Sequence, residues 1–459
     1  MPITYSNMNN IFGKGEKVSK STSQSRMTEL SGGYTMAQLN SLKCRLIFRN
    51  QHGQVLAVMP GCQTKISAVY PYRNHKLSSH EKTVLQDFIK KQKFSIAPDA
   101  AKVLGLSIIR YADQSEEYLN ETELKSRLHL PLEAEALYIC GFKTHTLEFR
   151  SYTRCAQCNI GRAQIKKLLI GHNCDMQIDA RDNKFLQSVK IGNNYNGSLN
   201  LSRSDVKNIF IGSNCRCDLS VFDSRKCFSL DIENVYSGNL YIRNSCVHNL
   251  QIGYYSYANL KLEDNWGQRN IWIGDSFRGN LEIDSLNAQG LYIGKDCKGL
   301  IKISGKGKQS ASRSIIIGDE FFGTLDLQGG SNINELRVGA RAGGKFYLWG
   351  QGGTKTAVFG AYFGGVADFS ESSVEYIEIG HSSGGEIILR NCQKLQELKV
   401  NQYHNLQLQL GNEPQRVLYD DSAAYYIFAA DKGTYNQCRP LYQKIYQQLK
   451  NAFSGYWRN

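Results

Sequence analysis

The chain has 459 residues, 41% of them apolar, which excludes a disordered protein and fits two or three domains or one long solenoid. Its 42 glycines and 7 prolines exclude a collagen-like or proline-rich stalk. The net charge of +14 favours acidic partners and says nothing about the fold.

The 13 cysteines are odd in number and too few for a disulfide scaffold. We therefore expect mostly reduced thiols and a cytoplasmic, reducing environment. Residues 1–10 have neither the basic start nor the apolar run of a signal peptide. We expect no transmembrane segment, because no apolar stretch reaches the ~18 residues of a spanning helix.

Residues 1–34 are rich in Ser, Thr, Asn and Gly without strand or helix periodicity, which predicts a disordered leader that could carry a secretion signal. Residues 35–136 predict a small α/β domain. Its first elements are a hairpin of residues 45–48 and 55–58 and a helix capped by Ser79. A second helix, capped by Asn120, follows.

A repeat begins near residue 137. A marker residue, usually aliphatic and usually followed by glycine, returns every 20–24 positions: Ile170, Ile191, Ile211, Ile232, Ile252, Ile273, Ile293, Ile317, Val338, Phe359, Ile379 and Val400. An apolar residue stands two positions before each marker. In most repeats a second apolar pair follows eight and ten positions after the marker, as with Leu199 and Leu201. These two stretches of period-2 alternation predict two short strands per repeat.

The repeat predicts a mainly β fold. We expect a single-stranded parallel β-helix (β-solenoid) of about 12 coils, with 20–21 residues per coil, over residues 137–415. Glycines between the two strands, such as Gly197 and Gly279, should adopt positive φ at tight corners. The alternative is a leucine-rich repeat, because residues 186–194 match the start of that motif.

Residues 416–459 predict a helical C-terminal cap for the exposed end of the solenoid. The apolar side chains of Leu441, Ile445, Leu449 and Phe453 recur every four residues and would form its buried face. A solenoid needs such a cap because its terminal coil exposes strand edges and apolar interior.

Cys155 and Cys158 form a C-x-x-C pair, with Cys140 and Cys174 about fifteen residues to either side. Four thiolates could bind zinc, but a structural site usually has two close-spaced ligand pairs, and only one is present. We interpret most cysteines as core thiols. We expect no cofactor and no metal, with Cys155 and Cys158 as weak candidates for a metal site.

Carboxylates on adjacent coils form the active sites of β-helix polysaccharide lyases and hydrolases. Here Asp182, Asp223 and Asp264 share one register, but Arg203 and Asn244 stand between them. We interpret this column as a solvated ladder of cross-coil pairs. The sequence identifies no catalytic residue.

The residue between the two inward positions of the first strand should face solvent. In that column Trp272, Tyr292 and Ile316 fall on consecutive coils and predict an exposed apolar stripe, and Phe210 stands in the same column. These four residues are the candidate partner-binding site. The alternative is that the N-terminal domain or the loop near Gly305 covers the stripe.

The remaining chemical motifs are few. No two histidines have the i, i+4 spacing of a metal site, and no Ser or Cys stands in a nucleophile motif. Basic residues are spread along the whole chain without a dense run among aromatic residues, which argues against nucleic acid as a partner.

The segment Met1-Pro-Ile-Thr4 followed by Tyr5-Ser-Asn-Met-Asn-Asn10 resembles the start of enteric-bacterial type III secreted effectors. The repeat region resembles right-handed parallel β-helix proteins. The first resemblance covers about ten residues and implies a secreted virulence protein, delivered into the host-cell cytoplasm with a secretion chaperone bound at its N-terminus. The chain lacks the Trp-Glu-Lys-containing targeting motif of the best-defined relatives, so the resemblance implies no particular activity.

From these observations we expect a non-enzymatic module that binds or scaffolds a protein partner, of host or bacterial origin. The alternative is a carbohydrate-active enzyme on the β-helix, either a polysaccharide lyase or a hydrolase.

Overall fold

The computed structural model describes residues 3–7, 44–50, 55–62, 65–71, 76–91, 93–140, 142–161, 163–265, 267, 269–284, 289–304, 314–328, 333–350, 354–401, 405–410 and 417–419. The chain divides into two compact units, Met1–Ser204 and Asp205–Asn459.

The described residues of the first unit form three helices and fifteen strands. The helices are α1 (Ser79–Lys91), α2 (Pro98–Leu104) and α3 (Glu121–Leu128). The strands are β1 (Ile3–Asn7), β2 (Cys44–Asn50), β3 (Val55–Cys62), β4 (Lys65–Ile66), β5 (Tyr70–Pro71), β6 (Ser95–Ile96), β7 (Ser107–Arg110), β8 (Glu116–Leu119), β9 (Glu133–Tyr138), β10 (Lys143–Phe149), β11 (Arg154–Asn159), β12 (Gln164–Ile170), β13 (Asp175–Asp179), β14 (Ser188–Ile191) and β15 (Asn196–Asn200).

The second unit consists of strands alone among the residues that the structure describes there. They are β16 (Asn208–Ile211), β17 (Arg216–Phe222), β18 (Cys227–Ile232), β19 (Asn239–Arg243), β20 (Val247–Ile252), β21 (Asn259–Glu263), β22 (Asn270–Ile273), β23 (Asn280–Asp284), β24 (Gly290–Ile293), β25 (Leu300–Ser304), β26 (Ser314–Ile317), β27 (Thr324–Gln328), β28 (Glu335–Val338), β29 (Lys345–Tyr347), β30 (Thr356–Phe359), β31 (Val366–Asp368), β32 (Tyr376–Ile379), β33 (Glu386–Leu389), β34 (Glu397–Val400), β35 (Gln407–Leu410) and β36 (Val417–Tyr419).

The start of the chain differs from the predicted disordered leader. Strand β1 lies inside that segment and pairs antiparallel with β2, from Ile3 opposite Asn50 to Asn7 opposite Leu46. Backbone hydrogen bonds to one neighbouring strand hold β1 at the edge of the sheet. A strand of five residues can form in this way without the alternating apolar pattern that would predict it from the sequence. The rest of residues 1–34 lies outside the described part of the chain. The predicted hairpin is present as the antiparallel pair β2–β3.

The helices of the small α/β segment begin close to where the sequence placed them. Asn120 caps α3 through a capping box with Glu123, as predicted. The cap of α1 is Ser78 and not Ser79. The Ser78 hydroxyl accepts a hydrogen bond from the Glu81 N–H, and the Glu81 carboxylate accepts one from the Ser78 N–H. Glu81 selects Ser78 because a capping box needs its partner three residues later.

Parallel coils follow this segment without a break in pairing. Strand β9 pairs antiparallel with β7 on one side and parallel with β11 on the other. The small segment therefore covers the edge that the first coil would otherwise leave open. The first strands of the coils in this unit pair in the order β10, β12, β14, and the second strands in the order β9, β11, β13, β15.

The same two series make up the second unit. The even-numbered strands β16 to β36 pair in parallel order, and so do the odd-numbered strands β17 to β35. The two units together hold a parallel β-solenoid of about 12 turns, which confirms the predicted fold class. A second strand accompanies the first throughout, as the β-helix requires and the leucine-rich alternative does not.

The marker column lines the interior. All twelve markers, from Ile170 to Val400, are at most 4% exposed. The apolar pair of the second strand is buried as well, for example Leu281 and Ile283. Equivalent side chains stack from coil to coil because most strands pair with the equivalent strand of the next coil without a register shift, as in Leu281 opposite Ile301.

The corner glycines have two different physical roles, of which the sequence predicted one. Gly197 has φ 142° and Gly238 has φ 131°, so positive φ is confirmed at these positions. Gly279 is required for another reason, because a Cβ there would stand 1.8 Å from the carbonyl oxygen of Ala258 in the preceding coil. Close stacking of the coils, and not left-handed backbone, excludes a side chain at Gly279.

Residues other than glycine hold the left-handed corners. One such corner follows each marker by three positions in the coils from Ile170 to Ile379, with φ between 52° and 62°. Its residues are Asn173, Asn194, Asn214, Val235, Tyr255, Ser276, Asp296, Glu320, Arg341, Tyr362 and Ser382. Asparagine and aspartate tolerate this conformation, whereas valine and tyrosine occupy it at a cost.

Side chains at the two corners of a coil bind the backbone of neighbouring coils. After the first strand, Asp275 accepts a hydrogen bond from the Lys295 N–H of the following coil at 3.0 Å. After the second strand the direction is reversed, since the Ser245 hydroxyl accepts from the Ser224 N–H of the preceding coil at 3.1 Å. These bonds satisfy corner N–H groups that the strand ladders leave unpaired.

The predicted C-terminal cap, with Leu441, Ile445, Leu449 and Phe453, lies outside the described residues. The same holds for most of the insertion near Gly305, where residues 305–313 are not described.

Candidate functional site

Three of the four predicted binding residues form one surface. Strands β22, β24 and β26 are consecutive in the first-strand series, and their outward residues Trp272, Tyr292 and Ile316 stand opposite one another in register. Trp272 is 39% exposed, whereas Tyr292 and Ile316 are half-buried. We call these three residues the aromatic stripe.

Ring packing holds the aromatic stripe in place. The rings of Trp272 and Tyr292 are stacked, with centroids 5.6 Å apart and planes 20° from parallel. The Tyr292 ring lies over Gly290, where a Cβ would stand 2.7 Å from the ring. A side chain at residue 290 would clash with the Tyr292 ring, so glycine there allows the ring to lie along its own strand.

Phe210 does not join the aromatic stripe. It is half-buried on β16 and stands opposite Asp231, which in turn stands opposite Gln251. Gln251 is the neighbour of Trp272. Two polar coils therefore separate Phe210 from the stripe, because a shared column places residues in line without making them adjacent.

The two cysteines predicted as weak candidates for a metal site are buried. Cys155 and Cys158 are both buried on β11, whose pairing with β13 shifts register between them. A hydrogen bond between the two thiols lowers the pKa of Cys155 and, together with burial, raises the pKa of Cys158. In the described ranges, no group of three or more His, Cys, Asp or Glu side chains could hold a metal ion.

The column of acids is paired as predicted. The Arg203 guanidinium donates to both carboxylate oxygens of Asp182, at 2.7 and 2.9 Å. The Asn244 amide donates to Asp223 at 2.7 Å. These pairs link successive coils on the exposed surface, where each contributes little to stability.

A cleft of about 390 Å³ lies in the first unit, beside α2. Lys102 and Cys140 line it together with two ion pairs, Arg181–Asp179 and Arg203–Asp182. Burial raises the pKa of Cys140 to about 11, so its thiol is protonated at neutral pH. The cleft therefore presents paired charges and a neutral thiol.

Two groups of residues escaped the sequence analysis. Tyr254, Tyr255 and Tyr257 are exposed together at one corner. Cys246 and His248 form a contact between sulfur and ring nitrogen. Cys246 precedes strand β20 and His248 lies within it, so neither helical i, i+4 spacing nor strand alternation signals their contact.

Among the described residues, no helix has the length and apolar character needed to cross a membrane. No family model matches the sequence, and neither the curated proteins nor the solved structures contain a match.

Proposed function

We propose that this protein is a non-enzymatic module that binds a protein partner through the aromatic stripe. The observation that carries the proposal is the stacked pair Trp272–Tyr292 on the outer face of the solenoid, with Ile316 on the next coil. Tryptophan and tyrosine are enriched among the residues that dominate binding energy at protein interfaces. Their exposed apolar area is removed from water when a partner docks.

The rigidity of the stripe supports this role. Trp272 stands on a strand paired on both sides, with β20 and β24. Its ring is already stacked on Tyr292, so little side-chain freedom remains to be lost on binding. The polar neighbours Gln251 and Arg337 bound the stripe on either side in the manner of an interface rim.

The paired acids favour the binding role over a carbohydrate-active enzyme. A glycosidase needs two carboxylates about 5–9.5 Å apart, one of them with a raised pKa. Asp182 and Asp223 are instead engaged by Arg203 and Asn244. The described carboxylates with shifted pKa values all have them lowered, in Glu263 and Glu378 by hydrogen bonds from neighbouring lysines.

The test uses the full chain as bait in capture experiments, with bound proteins identified by mass spectrometry. The double variant Trp272→Ala, Tyr292→Ala should lose a partner that the unchanged chain retains. Trp349→Ala is the matched control, because Trp349 is 42% exposed but lies outside the stripe, and it should retain the partner. Equal capture by all three chains, with circular dichroism showing intact folds, would contradict the proposal.

For delivery we propose secretion into a host cell, on the resemblance of residues 1–10 to type III effectors. A reporter fused behind residues 1–34 should then be exported by a type III-competent bacterium and retained by a strain without the secretion apparatus. A secretion chaperone should co-purify with the same segment. Retention of the reporter in the competent strain would contradict this proposal.

A further inference from the structure

A thiol and an imidazole meet at the start of β20 in the second unit. Cys246 is buried at the corner that precedes the strand, and His248, the second residue of the strand, is half-buried. The Sγ atom of Cys246 lies 3.3 Å from Nδ1 of His248. The His248 ring packs edge-on against Phe228, with centroids 5.4 Å apart, and this contact fixes its orientation.

A glycine backbone packs on this thiol. Gly267 of the next coil lies above it, and a Cβ on Gly267 would stand 2.8 Å from Sγ of Cys246. Gly267 also has φ 71°, a conformation that other residues rarely adopt. Cys246 is 4% exposed, whereas the other buried cysteines are 0–2% exposed. Cys246 is therefore the least buried of these thiols.

Other thiols of the solenoid have different partners. Cys174 donates to the carbonyl oxygens of Arg150 and His172, and Cys297 to that of Gly294. A carbonyl oxygen cannot accept the proton permanently, whereas a neutral imidazole can. The position of the ring nitrogen therefore gives Cys246 a base that Cys174 lacks, although His172 precedes Cys174 by the same two residues.

We propose that Cys246 is an oxidation site for hydrogen peroxide, with His248 as the base that activates it. Nδ1 of His248 takes the Sγ proton, and the sulfur attacks one peroxide oxygen. The O–O bond breaks, and the departing oxygen leaves as water after receiving the proton from the imidazolium. The sulfur is oxidised by two electrons to a sulfenic acid, and the peroxide is reduced.

The base is needed because the thiol is neutral at rest. Burial raises the pKa of Cys246, which lowers the fraction of thiolate, the reactive form. The rate of oxidation at Cys246 should therefore depend on His248 far more than it would for an exposed thiol.

The experiment treats the reduced full chain with hydrogen peroxide and then unfolds it in denaturant that contains dimedone, which traps sulfenic acid. Mass spectrometry of the digest measures the adduct on each cysteine. We expect the Cys246 adduct to form at least about tenfold faster than the Cys174 adduct in the unchanged chain. Equal rates at the two cysteines would overturn the proposal without recourse to any variant.

Variants then separate the base from a structural role. His248→Gln should slow the reaction of Cys246 by about tenfold or more and leave Cys174 unchanged. His172→Gln is the matched control and should alter neither rate. An unchanged Cys246 rate in His248→Gln, with the melting temperature preserved, would remove His248 from the proposal and so overturn it.

Discussion

The carbonyl oxygen of Ala258 occupies the space that a side chain on Gly279 would need, since a Cβ there would stand 1.8 Å from it. Gly279→Ala must therefore separate two coils or rotate a peptide group, and we expect it to destabilise the protein by about 3 kcal/mol. The measurement is the midpoint of urea unfolding followed by circular dichroism.

Gly364→Ala is the control for this substitution. A Cβ on Gly364 meets no atom within 4 Å, and Gly364 is not in the left-handed region. We expect it to be neutral or to stabilise by about 0.5 kcal/mol, because alanine reduces the freedom of the unfolded chain. A similar loss at both positions would show that stacking distance is not the cause.

Val235 holds a left-handed corner that asparagine holds in other coils. Its φ of 56° is costly for a β-branched residue, and its side chain is 41% exposed. Val235→Asn should raise the free energy of unfolding by about 1 kcal/mol. The reverse swap Asn214→Val, at the equivalent position of the preceding coil, should lower it by a similar amount. Equal stability of both variants would refute the strain argument.

Glu378 should make stability depend on acid pH. Its hydrogen bond from Lys399, at 2.8 Å, lowers its pKa below the ordinary 4.5, with support from Asn401. A lowered pKa in the folded state stabilises the protein above the ordinary pKa, and this contribution is lost as pH falls through the folded value.

Glu378→Gln should therefore cost less than about 1 kcal/mol at neutral pH, since Lys399 is well exposed, and the cost should shrink at acid pH. Unfolding titrations of the two chains across this range give the difference directly. Glu397→Gln on the same face serves as the control and should cost less at neutral pH. A pH-independent difference for Glu378→Gln would contradict the assigned cause.

Tyr236 is buried, and its hydroxyl donates to the carbonyl oxygen of Cys217. Tyr236→Phe leaves that carbonyl without this donor and should destabilise by about 1–2 kcal/mol. Tyr257→Phe is the control, because Tyr257 is exposed and its hydroxyl can bond to water. Chemical denaturation of both variants decides the point, and indistinguishable midpoints would count against the buried hydrogen bond.

The solenoid was predictable because burial repeats in sequence. Each marker, such as Ile273, is buried in the same interior as the markers of the other coils. The spacing of these apolar residues in the sequence therefore gives the length of a coil. The corners were less predictable, since Val235 and Tyr255 adopt a conformation that their residue types disfavour. There the stacking of neighbouring coils determines the backbone, and local preference does not.

The candidate site was predicted in part for the same reason. Alternation identified Trp272, Tyr292 and Ile316 as outward and consecutive, and register placed them together. The stacking of Trp272 on Tyr292, whose ring lies over Gly290, depends on side-chain rotamers, and hydrophobic periodicity does not determine these. The contact of Cys246 with His248 depends likewise on the direction of two side chains at a corner.

The corner hydrogen bonds join each coil to both of its neighbours, so the backbone groups of a coil are all paired only when both neighbouring coils are present. Asp275 serves the backbone of the coil after it, whereas Ser245 serves the coil before it. A substitution at Asp275 should therefore increase the rate of hydrogen exchange first at the Lys295 amide, in the next coil. The smallest structural unit of the solenoid is therefore a pair of adjacent coils with the corner hydrogen bonds between them. An insertion or deletion should be tolerated best when it keeps these inter-coil contacts whole.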